Sequence, residues 1–295
     1  MKGKGNNMQA QVQSSLPESR IVIRSISTDF SRQHRNYWFF GNPYLTHLVN
    51  ALSFQFPSGE DMFVKSVNRY KGQIQDKDLK RAIGAFTGQE LLHSHVHQEF
   101  NEWIASKVPD AKIYCEKIEA AALRRYERDM RIKPILSLAA TVALEHMTAI
   151  FAASLLRKPH LIESIDPEVR PLLVWHAIEE IEHKDVAFDV YQAIGGSYAL
   201  RALSMIFATL VLAGQTLFYQ FKMLRKDKQV FNIKAALQFL KLTWGRNGYF
   251  TSVIGDYLSY FSPRFHPSQT DDRALVDEWS KKLEDMTYVR VTGRV

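Results

Sequence analysis

Trp175-His176-Ala177-Ile178-Glu179-Glu180-Ile181-Glu182-His183 is the stretch whose reading decides the fold. It contains neither Gly nor Pro and lies in a run that reads as helix over about 167–193. At roughly 100° per residue, His176, Glu180 and His183 share a narrow arc of one face. Glu179 lies at the edge of that arc and Glu182 points well away from it. The neighbours Trp175, Ile178, Ile181, Val186, Ala187 and Val190 are apolar, so burial along most of the helix is expected. Two imidazoles and a carboxylate on a buried helix are costly unless something positive pairs with them. A bound metal is the simplest such partner.

Upstream, Gln89-Glu90-Leu91-Leu92-His93 repeats the Glu-x-x-His spacing in another apolar helical run, and His97 follows on the same face. One such pair arises easily by chance. Here each copy is preceded by a further Glu on an earlier helix, Glu60 before the first and Glu145 before the second. Glu145 is the only acidic residue between Asp129 and Glu163, in a helix otherwise built from Ile135, Leu138, Ala139, Val142, Ile150, Phe151 and Leu155. Glu60 has a plainer reading as a cap or surface acid beside Pro57. His97 reads either as a ligand or as a partner of one. His146 and Glu179 adjoin ligand candidates and are candidates for the surrounding shell, whereas His95 faces solvent and His266 sits in a proline-flanked loop.

The rest of the chain is read outward from these helices. A segment over 19–42, with Arg20-Ile21-Val22-Ile23-Arg24 alternating, reads as extended chain lying on a bundle. The four-helix bundle spans 43–195: a first helix over about 43–70, broken or simply bounded near Pro57 and Gly59; a second capped by Asp76 or Asp78; and a solvent-facing connector over about 109–131. A third helix starts at Pro134, and a fourth is capped by Asp166 with Pro167 behind it. Residues 196–295 read as a helical extension and 1–18 as a disordered arm.

Within the extension, 202–221 carries no charge and just reaches the length of a membrane span, but Ser204, Thr209, Gly214, Gln215, Thr216 and Gln220 dilute it, so a core helix or a helix in the membrane interface fits better than a span. Lys222, Arg225, Lys226, Lys228, Lys234, Lys241 and Arg246 follow it, and 249–261 is rich in aromatics. That pattern suits peripheral contact of 202–261 with an anionic membrane, with a homodimer interface as the alternative. The net charge is +7 among 295 residues, but no nucleic-acid motif accompanies it, so no nucleic-acid partner is expected. Cys115 is the only cysteine, which points to a reducing, cytoplasmic setting, with peripheral contact at the inner face of the membrane as the further expectation.

Over about 43–193 the chain resembles the ferritin-like di-iron carboxylate superfamily, in which one Glu from each of two helices joins a Glu-x-x-His from each of two others. Glu90/His93 and Glu180/His183 carry that likeness. His176-x3-Glu180-x2-His183 is similar to the p-aminobenzoate N-oxygenase branch, where the additional His is a seventh ligand. Gly59-Glu60-Asp61, Gln89-Glu90-x2-His93-x3-His97 and Phe265-His266-Pro267 resemble a bacterial family described as predicted metal-dependent hydrolases.

These resemblances imply an all-α, ferritin-like four-helix bundle with added C-terminal helices. They imply Glu60, Glu90, His93, Glu145, His176, Glu180 and His183 as ligands of two iron ions, with manganese, a mixed iron–manganese pair or zinc as alternatives. The reaction expected is dioxygen-dependent oxidation of a small or lipid-like organic substrate by N-oxygenation, hydroxylation or desaturation, with an electron donor as partner. Metal-dependent hydrolysis at the same site and a non-catalytic metal-binding role are the alternatives.

Overall fold

The computed structural model describes residues 21–30 and 36–294, so the arm expected over 1–18 lies outside the described residues. Among the described residues the fold is all-α apart from one small two-stranded sheet. Strand β1 (Val22–Ile26) pairs antiparallel with β2 (Val289–Arg294), with Arg24 opposite Val291 and an irregularity between Ile23 and Arg24. The sequence reading anticipated β1 as extended chain but not β2, because Val289 to Arg294 finds its partner only at the other end of the chain.

Asn42 caps α1 (Pro43–Ser53), its side chain accepting from the Tyr44 and Leu45 amides. Helix α2 (Phe56–Asn68) follows almost at once with Pro57 in its first turn. Phe54 and Gln55, which separate the two helices, both keep a right-handed helical backbone. Proline has no amide to continue a helix and fits where the first turn leaves amides unpaired. Asp76 caps α3 (Lys77–Lys107), accepting from the Asp78 and Leu79 amides. The connector is α4 (Ala111–Ile132), which is largely exposed, and Pro134 precedes α5 (Ile135–Leu156).

A short α6 (Pro159–Glu163), not foreseen, precedes α7 (Arg170–His183) and α8 (Val186–Ala193). The helix expected over 167–193 therefore needs two corrections. It begins at Arg170 with Pro171 rather than Pro167 in its first turn, and the Asp166 carbonyl accepts from the Val169 and Arg170 amides. It is also interrupted at Lys184 and Asp185, whose backbone stays right-handed helical, so the direction of the chain is kept. Gly195, at φ +75, lets the chain leave α8 in a conformation that costs other residues energy.

The extension consists of α9 (Tyr198–Lys226), capped by Ser197, and α10 (Ile233–Trp244), capped by Asn232, followed by the short α11 (Ile254–Ser259) and by α12 (Arg273–Met286). Helix α2 packs on α3, and α5 packs on α7; α2 also meets α5, and α3 meets α7, which closes a four-helix arrangement. Helix α9 lies along α1 and α5, α10 along α1, and α12 along α7. Trp38, Phe86, Phe100, Leu138 and Trp175 are almost wholly buried in this packing. Each such side chain contributes about 1.5–3 kcal/mol relative to exposure.

Candidate metal centre

The four inner helices each deliver donors to one place. Glu60 comes from α2, Glu90 and His93 from α3, Glu145 from α5, and His176, Glu180 and His183 from α7. All seven are buried, none more than 6% exposed. Two sets of donor atoms, Glu60/His93/His176 and Glu90/Glu180/His183, lie within 4.8 Å of one another in each set and could each hold a metal ion. Glu145 joins the second, its Oε2 3.3 Å from His183 Nε2. Glu180, of the second set, also reaches two members of the first. Its Oε1 is 2.8 Å from His176 Nε2 and 3.6 Å from His93 Nδ1, and its Oε2 is 3.6 Å from His183 Nε2.

Each imidazole is held from behind. His93 Nε2 donates to Glu179 Oε2 at 3.0 Å, which turns Nδ1 toward the centre. His183 Nδ1 donates to Gln89 Oε1 at 2.9 Å, which leaves Nε2 facing Glu90 and Glu145. For His176 the orientation follows from a chain of bonds. Asn101 Nδ2 donates to the Ser53 carbonyl, so its Oδ1 is the atom that accepts the Ser53 hydroxyl at 2.7 Å. Ser53 Oγ then accepts from His97 Nδ1 at 3.0 Å, and His97 Nε2 accepts from His176 Nδ1 at 2.7 Å. His176 Nε2 is left as a bare lone pair directed at Glu180 and Glu60. Such outer partners fix tautomer and ring orientation at metal sites.

Most of the inward-facing atoms have no partner. Both oxygens of Glu60, Glu90 and Glu145, Glu180 Oε2, His93 Nδ1 and His183 Nε2 are buried without a hydrogen bond. Burial and the neighbouring carboxylates push Glu60 and Glu90 well above the usual carboxylate range. Burial likewise pushes Glu145 up to about 7 despite the adjacent His183. Burial opposes a charge on Glu180, but His183 and His176 more than offset it and hold that carboxyl well below its ordinary value. Burial also disfavours a charged His183, yet Glu145, Glu180 and Glu90 drive its pKa well up. Burial, with His176 close by, lowers His93 strongly. Orphaned oxygens and lone pairs of this kind are the mark of a site that fits cations.

The expectations divide clearly on the geometry. All seven ligand candidates converge. His97 and Glu179 stand one layer out, behind His176 and His93. His146 does not belong with them and is a correction: its Nε2 donates to the Asp256 carbonyl, its ring stacks on Tyr260, and burial lowers it to about 4. Adjacency to Glu145 was misleading because neighbours on a helix diverge by about 100°. His95 is exposed beside Glu99, and His266 is paired with Asp189.

Five supporting residues were not foreseen. Gln89 bridges His183 to Glu182 and to the Val22 carbonyl. Arg24 grips Glu182 with both terminal nitrogens, at 2.9 and 2.7 Å, while its amide donates to Glu179 at 2.9 Å. Ser53 and Asn101 complete the chain behind His97. Asn101 was within reach of the sequence, since 93, 97 and 101 continue one face of α3. Arg24 was not, because nothing local ties β1 to α7.

Two cavities of about 130 and 140 Å³ adjoin the centre, and both touch Phe56, Thr148, His176, Glu180 and Leu212. One passes Glu60 between α2, α4 and α9; the other extends past Leu52, Phe151 and Leu173 to Leu242 and Tyr249. The second is walled almost wholly by apolar side chains. The Cys115 thiol lies outside this group, and burial raises it to about 12.

The chain belongs to the family described as predicted metal-dependent hydrolase, whose model matches residues 22–271. No curated protein and no solved structure matches it.

Proposed function

We propose that this member of the predicted metal-dependent hydrolase family is an enzyme holding two metal ions on Glu60, Glu90, His93, Glu145, His176, Glu180 and His183. The buried, partnerless donor atoms carry that reading. Charge supports the number, since four ionised carboxylates balance two divalent cations while three imidazoles stay neutral. Carboxylate and imidazole without thiolate suit iron or manganese, and zinc is the alternative. Bound there, a metal pair supplies electrons to dioxygen or, if redox-inert, polarises a water.

The protein's own residues determine the rest. His176 and Glu180 face both cavities, so substrate approaches from that end. Glu90 and His183 lie behind them, with Phe86 set edge-on against His183. Phe56 lies edge-on to both His97 and His176 and shields that face from water. We infer dioxygen-dependent oxidation of an apolar substrate, with an electron donor, as the reaction at this centre. The larger cavity presents Leu52, Leu173, Leu212 and Phe151 beside the donors, a wall that suits an apolar substrate.

Metal-dependent hydrolysis is the second reading, and the family description supports it. The same donors can orient a water and polarise a carbonyl. Loading the purified protein with iron(II) or with zinc separates the two. Oxygen uptake by the iron form with a reductant, lost in Glu145→Ala, is the outcome expected for oxidation. Ester or amide hydrolysis by the zinc form, with no oxygen uptake by the iron form, transfers the assignment to hydrolysis.

A further inference from the structure

Helices α5 and α9 are both long and apolar enough to cross a membrane, yet they are used differently. In the most apolar stretch of α5, 72% is buried inside the protein; in α9 only 22% is. Leu203, Ile206, Phe207, Leu210, Leu217 and Phe221 of α9 face outward, from 48% to 68% exposed. In α10 the outward residues are Ile233, Leu237, Leu240 and Trp244, a spacing that forms one stripe. Phe231, in the turn between the two helices, is 91% exposed. Scattered apolar residues on a surface need no explanation, but two continuous stripes on consecutive helices that both pack on α1 do.

The charge around the stripes points to the occupant. Lys222, Arg225, Lys226 and Lys228 close α9, and Lys234, Lys241 and Arg246 lie on or just after α10, all exposed. Asp227 is the sole acid between 198 and 255, and it is engaged by His47 at 2.8 Å and by Tyr37 at 3.4 Å. A second copy of the chain packed on this face about a two-fold axis would bring like charges together. An anionic surface does not. The same helices wall the cavity beside the candidate centre, through Leu212 of α9 and Leu242 and Thr243 of α10.

We propose that α9 and α10 dock on an anionic phospholipid bilayer, and that the substrate is an amphiphile whose apolar chain passes from it into the cavity beside His176 and Glu180. The second half rests on the two-metal enzyme reading; the docking does not. Apolar side chains enter the interface while the flanking cations meet lipid phosphates.

Flotation of the full chain with phosphatidylcholine vesicles, with and without phosphatidylglycerol, tests the docking. Binding to the anionic vesicles at low salt is expected, weakened at least about ten-fold at high salt, in Lys234→Glu/Lys241→Glu/Arg246→Glu, and in Leu237→Ser/Leu240→Ser. Unchanged metal content in both variants separates this result from failure of the centre. A chain that stays unbound at low salt, or a dimer whose behaviour ignores both variants, overturns the docking. Binding of a fluorescent fatty acid to the chain as purified tests the cavity. A loss of about ten-fold in both Ala152→Phe and Leu155→Trp, with flotation intact, is expected; undiminished binding in either folded variant overturns it.

Discussion

His176 Nδ1 lies 2.7 Å from His97 Nε2, and the hydrogen between them belongs to His176. That assignment follows from Ser53 and Asn101, which fix the direction of every bond behind it. His97 therefore stands behind a candidate ligand and orients it.

Replacing His97 tests that role. In His97→Leu, His176 loses the acceptor that keeps Nε2 bare, and metal affinity at the Glu60–His93–His176 end should fall by about 10–100-fold. Titration against a chelator of known affinity should show one of two metals weakened and the other retained. Equal weakening of both, or of neither, contradicts the assignment.

Arg24 makes a stability prediction. It is a buried cation shared between Glu182 and Glu179, the nearest contacts being 2.7 and 3.6 Å. Arg24→Met strands two buried carboxylates and should cost about 3–5 kcal/mol in urea unfolding, with an unchanged denaturant slope. A cost under about 1 kcal/mol would show that β1 rests on α7 without being anchored there.

His266 gives a pH dependence away from the centre. Burial disfavours its charge, but the hydrogen bond to Asp189 at 2.8 Å more than compensates, and its pKa is raised. Asp185, also facing it, acts in the same direction. The folded state thus holds the proton more tightly than the unfolded state does. The stabilisation is full below the unfolded value of 6.5 and is lost as pH rises through the folded value. The Tm gap between wild type and His266→Asn should be larger near about pH 6 than near about pH 8.5. A gap that widens with pH contradicts the pairing.

Much of the centre was legible because helix periodicity converts spacing into a shared face. Glu-x-x-His at Glu90/His93 and Glu180/His183, and the lone Glu145 among apolar neighbours, needed only that rule. Glu60 was legible as a candidate, and its burial in the structure decides against a surface cap. The rule failed at His146, where sequence adjacency says nothing about which neighbouring element a side chain meets. It was silent on Arg24, Gln89 and Glu182, whose network is assembled across more than 60 residues of sequence. The exposed apolar face of α9 was visible as composition only. Which side of that helix lies inward depends on α1 and α5, which pack against it.

Metal content tests the central claim most directly. Protein loaded with iron(II) or manganese(II), freed of excess and analysed by plasma mass spectrometry, should carry about two ions per chain. Glu145→Ala should lose about one of them, the ion beside His183. Fewer than about one ion per chain in the wild type, with no further loss in Glu145→Ala, would contradict a two-metal centre on these seven residues.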